Sequence, residues 1–155
     1  MKRHFHREDG QGLVEYALIL VLVSIVVIVI LALLGNTING AFARVIAGLN
    51  GQEMTGTGTE YVVTGMSASA TGTPPNCTVN VTDMKVTVFE DGELAGAGVA
   101  VSGSVSFSGG AGGSVSGSTG SNGTATLNNV SGAGDCSGTA TLTVSGNSRT
   151  VSYSN

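Results

Sequence analysis

The chain has 155 residues, of which 10% are charged, and a formal net charge of −4. Beyond residue 10 its basic side chains are Arg44, Lys85 and Arg149, too scattered to form the electrostatic footprint that nucleic-acid phosphates demand, so no nucleic-acid partner is expected. The 25 glycines and the many Ser and Thr of the second half could signal disorder, but that half also alternates apolar with polar residues at the strand period.

The first ten residues, MKRHFHREDG, carry Lys2, Arg3 and Arg7 ahead of a long apolar run. Positive charge of this kind stays on the cytoplasmic side, which puts the N-terminus inside and everything after about Asn50 outside. From Ala17 to Leu34 the only polar side chain is Ser24, enough apolar chain to cross a bilayer or fill a dry helical core. The run is longer than the apolar part of a secretory signal, and no small-residue cleavage site follows it. Glu15 lies just inside its edge. An unpaired acid so placed costs on the order of 2 to 4 kcal/mol, which makes it a candidate functional residue; the bland alternative is that Glu15 snorkels to the head groups.

The string EDGQGLVEYALIL resembles the processing site of Flp-type pilins, the small type IVb pilins of tight-adherence systems. The resemblance covers about residues 7 to 49. It implies cleavage by a prepilin peptidase between Gly10 and Gln11, which makes Glu15 the fifth residue of the mature chain and Tyr16 the sixth. It also implies a precursor in the cytoplasmic membrane, later extracted by the assembly machinery into an extracellular filament that is a helical homopolymer of this chain, with adhesion or surface colonisation as its role. Cleavage would free an α-amine on Gln11 whose unperturbed pKa of about 8 leaves it mostly charged. That amine can neutralise Glu15 of its own helix, one turn away, or of a staggered neighbour. Unit charges 4 Å apart attract by about 4 kcal/mol at an effective dielectric of 20, largely offset by desolvation, so such a pair would chiefly set register. Flp pilins lack a C-terminal domain of this size. A minor pilin or pseudopilin, and a single-span surface protein whose β-domain binds a ligand, are the alternatives.

The helical pattern continues past Gly35, with Ile38, Phe42, Val45, Ile46 and Leu49 spaced as an amphipathic stripe and Asn39 and Arg44 away from it. The expected organisation is therefore a leader over 1–10, a polymerisation helix over 11–49, a flexible linker over 50–59 and a surface-exposed β-domain over 60–155. Candidate strands are 61–66, 79–81, 84–90, 99–107, 124–130, 138–145 and 149–153, with Asp91-Gly92 and Gly146-Asn147 as hairpin turns. The fold class is α+β: a long apolar helix followed by a β-sandwich, with a weak resemblance to bacterial immunoglobulin-like or transthyretin-like domains around GSTGSNGTATLNNV. Alternation predicts a core of Val79, Val81, Met84, Val86, Val88, Val99, Val101, Val105, Phe107, Ala125, Leu127, Leu142, Val144, Val151 and Tyr153.

Cys77 and Cys136 both fall in the exported half and read as one disulfide, against the alternative of two buried thiols. Sequons stand at Asn76, Asn80, Asn122 and Asn129 as candidate glycosylation sites, and surface Ser and Thr could accept O-linked glycans instead. Both histidines, His4 and His6, are in the leader, which removes the commonest general base and metal ligand from the processed chain. Glu90, Asp91 and Glu93 flank a turn without calcium-loop spacing, and the glycine-rich stretch 109–120 lacks a phosphate-loop Lys and reads as a loop or flexible edge. The chain is accordingly expected to be no enzyme, with no metal and no cofactor.

Overall fold

A computed structural model describes residues 9–155; Lys2, Arg3, His4, His6 and Arg7 of the leader lie outside the described residues. One helix, α1, runs from Asp9 to Leu49 and is followed by nine strands in two antiparallel sheets. The chain divides after Ile38 into two compact units.

The first unit is helix alone. Every side chain from Ala17 to Leu34 is exposed, and apart from Ser24 they are aliphatic on all faces, so the surface can be dry only in lipid or against other protein. The Ser24 hydroxyl donates to the Leu20 carbonyl at 2.7 Å, which satisfies the one polar group of the run within the helix itself. This is a helix long and apolar enough to cross a membrane.

In the second unit α1 ends on a Schellman motif. Gly51, at φ +66°, donates to the Gly48 carbonyl and Gln52 to the Ala47 carbonyl, so the Asn50-Gly51 pair is what stops the helix. Strands β1 (Thr59–Thr73), β2 (Asn76–Glu90), β3 (Glu93–Leu94), β6 (Thr124–Thr126) and β7 (Val130–Gly134) form the first sheet. Its hub is β2, which pairs with β1 along one edge and with β7, β6 and β3 in turn along the other. Strands β4 (Ala100–Phe107), β5 (Gly110–Ser118), β8 (Ser137–Val144) and β9 (Asn147–Ser154) form the second, in the order β5-β4-β8-β9.

Inward residues of both sheets meet in one core. Val79, Val81, Met84, Val86, Val88, Val101, Val105, Phe107, Ala125, Leu127, Leu142, Val144 and Tyr153 are buried there, and Val99 and Val151 pack against it half-buried. Outward positions of the second sheet are hydroxyls: Ser102, Ser104 and Ser106 on β4, Thr139, Thr141 and Thr143 on β8, Ser148, Thr150 and Ser152 on β9. That polar-out alternation is what lets so Ser- and Thr-rich a sequence fold.

Several strand boundaries differ from the sequence pattern. The segments 79–81 and 84–90 are one strand, because a bulge at Asp83, at φ +54°, shifts the inward positions from odd numbers up to Val81 to even numbers from Met84. The stretch 110–118, expected as a loop or flexible edge, is the edge strand β5, with Val115 buried. It carries its own irregularity opposite Ser106, where a Cβ on Gly112 would collide with the Val105 carbonyl. The expected strand 124–130 is broken into β6 and the start of β7. Asp91-Gly92 does form a turn with both residues at positive φ, but the second hairpin turns at Ser145-Gly146, since Val144 pairs with Asn147.

The end of α1 lies on the outer face of the first sheet, and it does so with its small residues rather than with the amphipathic stripe. Gly40, Ala43 and Ala47 are buried, the two alanines against Val62 and Phe89, with Met54 and Leu94 at the margin. Small side chains at i, i+3 and i+7 share one helix face and permit close approach. The stripe that includes Phe42, Val45 and Leu49 is exposed instead. Burial of Val62 and Phe89 on one face and of Val63, Val86 and Val88 on the other makes this end of the first sheet dry on both sides. Cys77 on β2 is bonded to Cys136, between β7 and β8, with Cα atoms 5.1 Å apart. The bond therefore ties the first sheet to the chain's crossing into the second.

Two outcomes follow. Replacing Ala43 with Leu should overpack the helix–sheet contact and destabilise the β-domain by about 1 to 3 kcal/mol, measured by thermal or denaturant unfolding. Removing the disulfide by the paired change Cys77→Ser and Cys136→Ser should cost up to about 4 kcal/mol, the chain-entropy value for a loop of this length, and leave membrane retention unchanged.

Candidate functional site

Two regions carry the chemistry of the described chain. The first is the N-terminal part of α1. Gly10 and Gln11 lie within its backbone, and Glu15 and Tyr16 follow on the exposed helix surface, Tyr16 at 63% exposure. Glu15 and Tyr16 are adjacent in sequence and so point about 100° apart around the helix, and Leu18 and Ile19 follow Glu15 one turn on.

The second region lies where α1 leaves the β-domain. Asn39 donates to the Asn122 carbonyl at 2.7 Å and to Thr124 Oγ1 at 3.2 Å. Arg44 donates to the Gly92 carbonyl and sits over the Phe89 ring, 5.3 Å from its centroid. The segment that follows is held by side chains. Gln52 is buried and acts as a missing strand: its amide oxygen accepts from Val63 N at 2.8 Å and its amide nitrogen donates to the Val63 carbonyl at 3.2 Å.

Glu60, at the start of β1, is the most unusual group here. It is 9% exposed, and its Oε1 accepts from Thr55 N, from Thr55 Oγ1 at 2.8 Å and from Gly56 N at 3.0 Å. Oε2 is buried and accepts from no protein group. The hydroxyl of Thr55 holds the carboxyl below its ordinary range; burial opposes this, and the Thr55 and Gly56 amides and the Arg44 charge add to it. Beside it is a hollow of about 510 Å³, lined by residues of the helix end, of the segment 52–61 and of the β8–β9 turn, among them Asn50, Glu53, Thr55, Tyr61 and Asn147. Asn147 donates its amide to Tyr61 O at 2.8 Å and to Glu53 O at 3.4 Å, which joins that turn to the segment.

The sequons differ in access. Asn76 and Asn129 are exposed, whereas Asn80 is half-buried in the centre of a strand, between Ser69 and Ser131. Asn122 is exposed but engaged: its Oδ1 accepts from Thr124 N, and its sequon's Thr124 is bonded to Asn39 and Thr87. Glu90, Asp91 and Glu93 surround the β2–β3 turn, where Asp91 Oδ1 accepts from Gly58 N at 2.8 Å. No group of three His, Cys, Asp or Glu gathers among the described residues.

Comparison of the chain with protein-family models, with curated proteins and with solved structures returns no match.

Sequence reasoning did not find Glu60 or its hollow. A single Glu at a strand start, an Asn after a turn and a Gln after a helix carry no spacing signal; only the meeting of the stretch 50–61 with the distant β8–β9 turn joins them. A pH test isolates Glu60. Its folded pKa is lowered, so its contribution is fully present above the unfolded value of about 4.3 and is lost as pH falls through the folded one. The thermal midpoint should therefore drop on acidification below about pH 4, and the drop should be shallower in Glu60→Gln, monitored by circular dichroism.

Proposed function

We propose that the chain is a single-span membrane protein whose helix anchors a disulfide-bonded β-domain on the outer side of the membrane. The observation that carries this reading is the contrast between the two units: the β-domain fills a core of its own, while the described helix surface from Leu13 to Leu34 is apolar and covered by nothing. Such a surface needs a dry solvent, and lipid supplies it. The leader charges favour a cytoplasmic N-terminus, and the disulfide suits an oxidising exterior. The two-sheet domain, built around β2, is read as an immunoglobulin-like or transthyretin-like sandwich that binds rather than catalyses, with Asn76 and Asn129 as its accessible glycan acceptors.

A second reading is favoured by one specific observation, the register that places Glu15 five residues after Gly10. In that reading the anchored form is a precursor. A prepilin peptidase cuts between Gly10 and Gln11, the assembly machinery extracts the helix, and copies of α1 exchange lipid for one another in a type IVb filament, as major subunit, minor pilin or pseudopilin. An apolar surface on all sides suits both environments, so assembly is a transfer between two dry phases. Glu15 would then meet the Gln11 amine, and adhesion would fall to the β-domains.

Fractionation of cells that make the full chain separates these readings. The anchored protein should resist alkaline carbonate extraction, dissolve in detergent and expose its β-domain to protease added outside; recovery in the soluble fraction would sink the anchor. Sheared, detergent-resistant filaments with Gln11 at the N-terminus would instead establish the pilin, and Glu15→Ala should then leave insertion intact and abolish or slow filament growth.

A further inference from the structure

Neither reading uses Met54, and its surroundings set it apart from the other methionines described. Met66 and Met84 are buried in the core between the two sheets. Met54 is half-buried: it packs against the seat that Ala43 and Ala47 make on Val62 and Phe89, and it also lines an open hollow of about 450 Å³ beside Arg44 and Gly92. It belongs to the apolar seam and is still reached by solvent. Its backbone is held in that position from both sides. Gln52, two residues before it, is bonded twice to Val63, and the amides of Thr55 and Gly56, just after it, donate to Glu60.

We propose that Met54 is a site of reversible sulfoxidation that controls how firmly the end of α1 is seated on the first sheet, with a peroxide as the oxidant. The thioether sulfur attacks one peroxide oxygen, the O–O bond breaks, and the other oxygen leaves as water. Sulfur gives up two electrons and becomes the sulfoxide, and the peroxide is reduced. The product is polar, and the residues it would press against, Ala43, Ala47, Val62, Phe89 and Leu94, offer its oxygen no side-chain donor. Arg44 lines the same hollow, but its guanidinium is placed on the Gly92 carbonyl and over the Phe89 ring, and a bond to the sulfoxide competes with that placement. Turning the oxidised side chain out to water instead uncovers the margin of the seat. Either route loosens the contact, and reduction of the sulfoxide restores it. The site depends on neither reading of the chain, because all of its parts belong to the unit that begins at Asn39.

Hydrogen peroxide added to the full chain in dodecyl maltoside micelles, followed by peptide mapping, tests this. Met54 should gain one oxygen at least about tenfold faster than Met66 or Met84. The oxidised chain should unfold at a thermal midpoint lower by roughly 3 to 8 °C. Cleavage after the exposed Glu53 by a glutamate-specific protease should quicken about tenfold as the segment opens more often. Methionine sulfoxide reductases of both stereochemical classes, added together, should reverse both changes. Met54→Leu, a nearly volume-conserving swap, should keep the fold and lose the peroxide response, whereas Met54→Gln should show the lowered midpoint without any oxidant. The proposal is overturned if Met66 or Met84 oxidises as fast as Met54, if the chain oxidised at Met54 melts where the reduced chain does, or if Met54→Leu loses as much stability under peroxide as the parent.

Discussion

The close seating of Ala43 and Ala47 on Val62 and Phe89 is the contact on which the rest of the structure depends. Small residues on the helix let the first sheet rise to it, and the sheet can then be apolar on both faces at that end. Bulkier residues would hold the helix off and expose Phe89 and Val62 to water, at about 1.5 to 3 kcal/mol for each large side chain uncovered. The same seating delivers Arg44 to the Gly92 carbonyl and Asn39 to the β6 turn, so polar bonds flank the apolar contact on either side. The helix end is thereby a third layer of the domain rather than a stalk attached to it.

This contact also shows where sequence reading stops. Ile38, Phe42, Val45, Ile46 and Leu49 make an amphipathic stripe by any periodicity argument, and size alone suggests that the stripe is the buried face. The domain instead took the face with the smallest residues, because approach distance, not side-chain area, limits what a sheet can hold against a helix.

Within the β-domain, alternation made most of the core legible: residues such as Val79, Leu142 and Val144 are where a period of two puts them. It failed where the period slips. The bulge at Asp83 looked like a strand break because the phase changes there, and β5 was hidden because glycine, whose hydrogen side chain gives no hydrophobic signal, occupies positions where neighbouring backbone comes too close for any Cβ. The disulfide was legible because two cysteines leave one pairing. The Glu60 hollow was not, since Glu53 and Asn147 are 94 positions apart and none of its parts carries a pattern by itself.

The free edge of β1 has a consequence of its own. Its carbonyls at Tyr61, Val63, Thr64 and Gly72 are bonded to side chains of Asn147, Gln52, Arg149 and Asn155, and the Val63 amide to Gln52 as well. A bare strand edge is a template for the next chain, and copies crowded at one membrane meet at far higher local concentration than in solution. Four side chains fastened along that edge make it self-terminating, so neighbouring domains can lie side by side without zipping into a continuous sheet.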